Sequence, residues 1–204
     1  MGSIGFDIEW IVHTEVESMS VDTMLTTTNP ALLIIDVQYA IDQFSDHPRS
    51  NPELEKNLEK ILTKWREAKR PIYHIRHSSK FPDSPYHSDS SYFDLKAEVT
   101  PLADEPIITK RENCAFIGTE LDALLKERNI TELVICGVLT NHSIDATVRV
   151  GAALGYHIYL PSDLTASCGM TLLDGSMLTA EEMQHIYLSN LDGEYATVCT
   201  ANML

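Results

Sequence analysis

The chain has 204 residues, 44% of them hydrophobic and 22% charged, which is enough for one domain with a sizeable core. Thirty acidic against fifteen basic residues leave a formal net charge of −15, a balance that argues against nucleic acid or an anionic membrane surface as the partner. No apolar run approaches the roughly 18–20 residues of a membrane helix, so a soluble globular protein is expected.

Residues 1–29 differ from the rest. They are rich in Thr, Ser and acidic residues, end in Thr26-Thr27-Thr28-Asn29-Pro30 and hold no sustained periodicity. They are expected to form a flexible or interfacial extension, with Phe6, Ile8, Trp10, Ile11 and Val12 as a possible docking strand and a partly disordered arm as the favoured reading. They hold neither a basic stretch followed by a long apolar run nor the acid-free composition of a presequence. A cytoplasmic location is therefore expected, with Cys114, Cys136, Cys168 and Cys199 as free thiols. None of the four lies in a C-x-x-C pair, which disfavours zinc-ribbon and thioredoxin chemistry.

From residue 30 to 204 the signals alternate. Ala31-Leu32-Leu33-Ile34-Ile35 is a continuous apolar run, as in a strand covered on both faces. Asn51-Pro52 offers an N-cap and a first-turn proline, and Leu54, Leu58, Ile61, Leu62 and Trp65 follow at helical spacing, so a helix is expected over 53–69. Residues 71–76 read as a strand, and the Pro- and Ser-bearing stretch 78–106 as a long loop of the kind that walls an active site. A helix beginning at Thr119 leads to a strand over 132–136, with Cys136 as a buried small hydrophobe. A helix from Ser143 to Leu154 ends at Gly155, and a strand over 156–160 follows. Thr179-Ala180-Glu181-Glu182 is a capping box opening a helix through Leu191, and 194–199 is a last strand. Such alternation implies an α/β, three-layer Rossmann-like fold, with a mainly parallel sheet of five or six strands flanked by helices on both faces.

In such sheets ligands bind beyond the carboxyl ends of the strands. Three strand ends carry chemistry: Asp36 after the first strand, Lys110 after Ile107-Ile108-Thr109, and the turn Gly137-Val138-Leu139-Thr140-Asn141-His142-Ser143. Each has an ordinary explanation taken singly: a loop carboxylate, a solvated lysine, a serine N-cap. Together they look like a base, a cation and a nucleophile, the parts of an acyl-transfer site.

Four segments resemble the isochorismatase-like (cysteine hydrolase) family. They are Ala31 to Gln38, Lys110 to Thr119, Gly137 to Arg149 against the family's G-x-x-T-x-x-C-V-x-x-T-x-R, and Glu194 to Val198. The resemblance covers about residues 30–204 and implies a catalytic set of Asp36, Lys110 and position 143. In that family the aspartate takes the thiol proton, the lysine stabilises the charged state, and the thiolate attacks an amide or related carbonyl. It further implies a cis peptide before Leu139, with the Leu139 and Ser143 amides as an oxyanion hole, and a homo-oligomer, dimer or tetramer. No cofactor and no metal are expected; the Asp-x-His pattern of metal-binding relatives is absent, since Asp46-His47 is adjacent and not spaced. The expected function is hydrolysis of a C–N bond in a small amide, imide or carbamoyl compound.

The departure is serine where the family has cysteine. A thiol ionises near pH 8.5, whereas a hydroxyl needs a well-placed base. Three accounts stay open: a Cys-to-Ser replacement that disables the enzyme, a natural variant with weak hydrolysis, or a relative of the true isochorismatases, which cleave a vinyl ether with the aspartate as general acid. A non-catalytic small-molecule-binding relative is the remaining alternative. Phe44, His77, Asn113, Phe116, Asn141 and His142 are candidate pocket residues, and Phe81, Tyr86, Tyr92 and Phe93 are further aromatics near the loops.

Overall fold

The computed structural model describes residues 23–44 and 48–204. The proposed docking strand of residues 6–12, and His47, lie outside them.

The sheet forms because its strands are apolar on both faces. β1 (Ala31–Ile35) is fully buried, and so is β4 (Glu132–Val138). Side chains alternate across a strand. Ala31, Leu33 and Ile35 of β1 therefore join Leu133 and Ile135 of β4 in one core, while Leu32 and Ile34 join Val134 and Cys136 in a second core on the other face. The first core is closed by α2 (Leu121–Glu127), α3 (Asp145–Ala153) and α4 (Ala180–Leu191). The second is closed by α1 (Leu54–Glu67), which buries Leu54, Leu58, Ile61, Leu62 and Trp65 along one stripe. Three layers result, as expected.

With β2 (Ile72–His77), β3 (Ile107–Lys110), β5 (His157–Pro161) and β9 (Thr197–Cys199), the strands run in the order β3-β2-β1-β4-β5-β9, all parallel. The short β6 (Thr165–Ala166) pairs beside the end of β4, making seven strands among the described residues. A separate antiparallel hairpin joins β7 (Met170–Thr171) to β8 (Met177–Leu178). In register, Ile35 lies opposite Gly137 and His77 opposite Lys110, so the carboxyl ends of β1, β2, β3 and β4 finish side by side.

Several local expectations change. Asn51 does not cap α1; the cap position is Glu53. The Asn51 side chain donates instead to the carbonyls of Ser162 and Thr165, with its own backbone at φ 52°. Fixed carbonyls on a neighbouring segment thus outcompete the local cap. The helix expected from Ser143 divides: Thr140–Ile144 forms a single π turn, and α3 begins only at Asp145. The last strand is shorter than expected, because the amides of Tyr195 and Ala196 donate back to Leu191 and close the end of α4. The capping box is present in full, with Thr179 and Glu182 each accepting from the other's backbone.

The end of the extension, residues 23–29, packs on this same chain. Met24 donates to the Met203 carbonyl, and the amides and hydroxyls of Thr26 and Thr27 all donate to the carboxylate of Glu132. Burial alone would raise the pKa of Glu132, but these donors outweigh it and hold the carboxyl at about 2. No helix among the described residues is long and apolar enough to cross a membrane.

Candidate active site

Asp36 directly follows β1 at the sheet's carboxyl edge, with a left-handed backbone of φ 56° that breaks the extended conformation of the strand. Lys110, the last residue of β3, is wholly buried. β4 carries Gly137 one residue before its end, with φ +118°. A Cβ there would come within 2.1 Å of the Ile35 carbonyl oxygen, so glycine is what lets β4 lie against β1 at this level. The peptide Val138–Leu139 is cis, and the chain then enters the π turn that carries Ser143.

These elements bring three side chains together. The Ser143 hydroxyl donates to Asp36 Oδ2 over 2.6 Å. The Lys110 ammonium donates to the same carboxylate oxygen over 2.7 Å, to Ser143 Oγ over 3.1 Å and to the Glu112 carbonyl over 3.2 Å. Three acceptors match the three donors of an ammonium. Asp36 Oδ1 is buried with no hydrogen-bond partner among the described residues.

A cavity of about 430 Å³ opens over this group. Of the candidate pocket residues, Phe44, His77, Asn113 and His142 line it, as do Leu139 and Ser143. Phe116 does not. It lies in the core, its ring stacked on Tyr156 at 5.6 Å and packed over Gly151, where the missing side chain leaves it room. Asn141 does not line the cavity either; it sits in the π turn with its Oδ1 buried and without a hydrogen-bond partner among the described residues. His142 lines the cavity but takes no hydrogen bond from Ser143, whose partners are Asp36 and Lys110.

His77 and His74 separate by strand geometry. Three residues apart on β2, they point to opposite faces. His74 is fully buried and bonds Glu105 over 2.9 Å, whereas His77 faces the cavity. The His77 backbone is clamped by the Gln38 side chain, which accepts from its amide and donates to its carbonyl. Burial, and then the charge of Lys110, push the His77 imidazole below its usual range. Burial likewise lowers His142.

Sequence reasoning missed Ile41, Cys168, Gly169, Met170 and Thr171, all of which line the cavity, and left Tyr86 among several loop aromatics. Asp174-Gly175 at the hairpin tip was the available signal, since Asp-Gly between apolar residues marks a tight turn.

The family signature described as the isochorismatase domain matches residues 30–202. The chain belongs to the isochorismatase family. It is 40% identical over 174 residues to YrdC, an uncharacterised isochorismatase-family protein of Bacillus subtilis, covering 85% of this chain and 93% of that one. Over a shorter stretch of 77 residues it is 35% identical to the ureidoacrylate amidohydrolase RutB of Cronobacter sakazakii, covering 38% of this chain and 33% of RutB. A solved structure of an isochorismatase-family protein from Chromobacterium violaceum superposes with a TM-score of 0.85 at 39% identity, covering 88% of this chain and 93% of that one. The three-layer parallel architecture is thus that of the isochorismatase-family hydrolases.

Proposed function

We propose that this isochorismatase-family member hydrolyses a C–N bond of a small amide, imide or carbamoyl compound through a covalent acyl-enzyme at position 143. The observation that carries the reading is the three-way contact of Ser143 Oγ, Asp36 Oδ2 and Lys110 Nζ at 2.6, 2.7 and 3.1 Å, beneath a cavity of substrate size. A nucleophile hydrogen-bonded to a base that is itself held by a third group is the arrangement covalent catalysis requires. The amidohydrolase activity named for the Cronobacter relative supports the choice of bond.

In this reading Asp36 takes the proton of Ser143 as Oγ adds to the substrate carbonyl. The developing oxyanion is received by the Leu139 and Ser143 amides, a kind of donor set typically worth about 10²–10³ in rate for each donor. The C–N bond breaks, and the leaving nitrogen takes the proton from Asp36. Water, giving its proton to Asp36, then cleaves the ester, releasing the carboxylic acid and restoring the Ser143 hydroxyl. Lys110 opposes the negative charge throughout.

Serine slows the first step, because a hydroxyl is far less acidic than a thiol and carboxylate is a weak base for it. This form of the site is a disabled or weak one.

The serine itself favours a second reading, an isochorismatase-type vinyl-ether hydrolase in which Asp36 protonates and position 143 does no covalent work. Asp36→Asn and Ser143→Ala separate the two. Covalent hydrolysis requires that Ser143→Cys turn over an amide substrate, that Asp36→Asn in that background abolish the turnover, and that Ser143→Ala show none. If Asp36→Asn alone abolishes activity, and that activity is on a vinyl ether, the second reading stands and the first falls.

A further inference from the structure

The cavity above Ser143 falls within the roughly 300–1,000 Å³ of small-ligand sites, at about 430 Å³. Away from Ser143 its wall is aliphatic and aromatic: Ile41, Phe44, Tyr86 and Met170. The Phe44 and Tyr86 rings stack at 6.3 Å and 27°, and His77 meets Tyr86 edge-on at 5.8 Å. This wall is anchored from behind. Lys96, almost wholly buried, bonds Asp42 and Glu55 over 2.7 Å each, and Arg49 bonds Glu55 over 2.7 Å, tying the turn that ends at Phe44 to α1.

Charge is scarce in this space. Among the described residues, no Lys or Arg lines the cavity, and the one charged lining side chain is Asp36, whose charge Lys110 opposes from beneath. The nearby Lys80 is engaged by Glu112 at 2.7 Å. The remaining titratable lining groups stay neutral at pH 7: burial lowers His77 and His142 and raises the Tyr86 phenol and the Cys168 thiol. A carboxylate entering here would lose its hydration and approach Asp36, with no Lys or Arg among the described lining side chains to receive it; Arg49, whose charge reaches Tyr86 and Cys168 from behind the wall, is already bonded to Glu55.

We propose that the cavity selects an uncharged substrate that lays a flat apolar group against Phe44 and Tyr86, and that it rejects amides bearing a carboxylate. The inference rests on the reading of position 143 as the reacting centre. It separates this chain from the Cronobacter relative, whose named substrate is an acrylate, an anion at neutral pH.

Equilibrium binding tests it without turnover, on the unmodified chain. The probes are benzamide, 4-carboxybenzamide and acetamide at neutral pH, followed by calorimetry. Benzamide is expected to bind at least about tenfold more tightly than either of the others, a difference of ~1.4 kcal/mol. Phe44 is 43% exposed, so its replacement spares the core. Phe44→Ala should remove most of the benzamide advantage and leave acetamide unchanged, and Phe44→Arg should shift preference toward 4-carboxybenzamide. Equal binding of all three, binding of none, or tighter binding of 4-carboxybenzamide overturns the proposal. Because no chemistry is read, these outcomes are independent of whether position 143 forms an acyl-enzyme.

Discussion

At the scale of single residues, the site depends on two buried charges that exist only as a pair. Lys110 is fully enclosed and Asp36 nearly so. Removing one partner of a buried ion pair typically costs about 3–5 kcal/mol, because the other charge is left uncompensated. Lys110→Met should therefore lower the unfolding free energy by about that amount in urea, and Asp36→Asn combined with Lys110→Met should recover part of the loss. A double variant no more stable than Lys110→Met would mean the pair is not what holds these groups in place. Asp36, Lys110 and Ser143 were legible in the sequence because each follows a recognisable strand and the resemblance joined them. Phe116 was not. Its position three residues before Thr119 gave no sign that it would turn inward onto Gly151, since the space there is made by a helix and a strand far along the chain. Asn141, expected at the pocket as a hydrogen-bonding residue of the turn between strand and helix, does not line the cavity, and no local signal in the sequence marked the π turn that carries it.

At the scale of elements, Glu132 is the clearest case of a segment held by one carboxylate. It opens β4, and Thr26 and Thr27 close over it with four donors. Its folded pKa, about 2, lies below the ordinary 4.5. A depressed carboxyl contributes stability that is present above its unfolded pKa and lost as pH falls through the folded one. The contribution, on the order of 3 kcal/mol, should therefore fade between about pH 5 and pH 2. Urea midpoints for Glu132→Gln should be lower than for the unmodified chain at pH 7, and the two should converge toward pH 2. A constant gap across that range would show that the carboxylate's charge is not what the threonines bind. The threonine run preceding Pro30 was visible in the sequence, but its partner was not, because the contact spans more than a hundred residues. The helices read well wherever the stripe was long, as in α1, or the cap explicit, as in α4. Short elements such as β6 and the β7–β8 hairpin, two residues to a strand, gave too little periodicity to read.

At the scale of the whole molecule, the strand order explains where the candidate site sits. From β1 the chain first builds outward through β2 and β3, then returns to place β4 on the other side of β1. The reversal leaves a crevice at the carboxyl ends of β1 and β4, the usual ligand site in open parallel sheets. Asp36 and the turn to Ser143 flank it, and Lys110 reaches it from β3. Alternation of strand and helix foretold the layers, but strand order is set by crossovers whose direction no local signal records. The loop 78–106 met its expectation in Tyr86, which walls the cavity.

Position 143 is the proposed acyl acceptor, weakened by serine. The most direct test is ammonia release by Ser143→Cys beside the unmodified chain, over a panel of small uncharged amides, imides and ureido compounds. Turnover that appears with cysteine and is absent or far slower with serine is the predicted result. If the cysteine variant folds, as shown by an unchanged urea midpoint, and releases no ammonia from any member of the panel, covalent C–N hydrolysis at this site is contradicted.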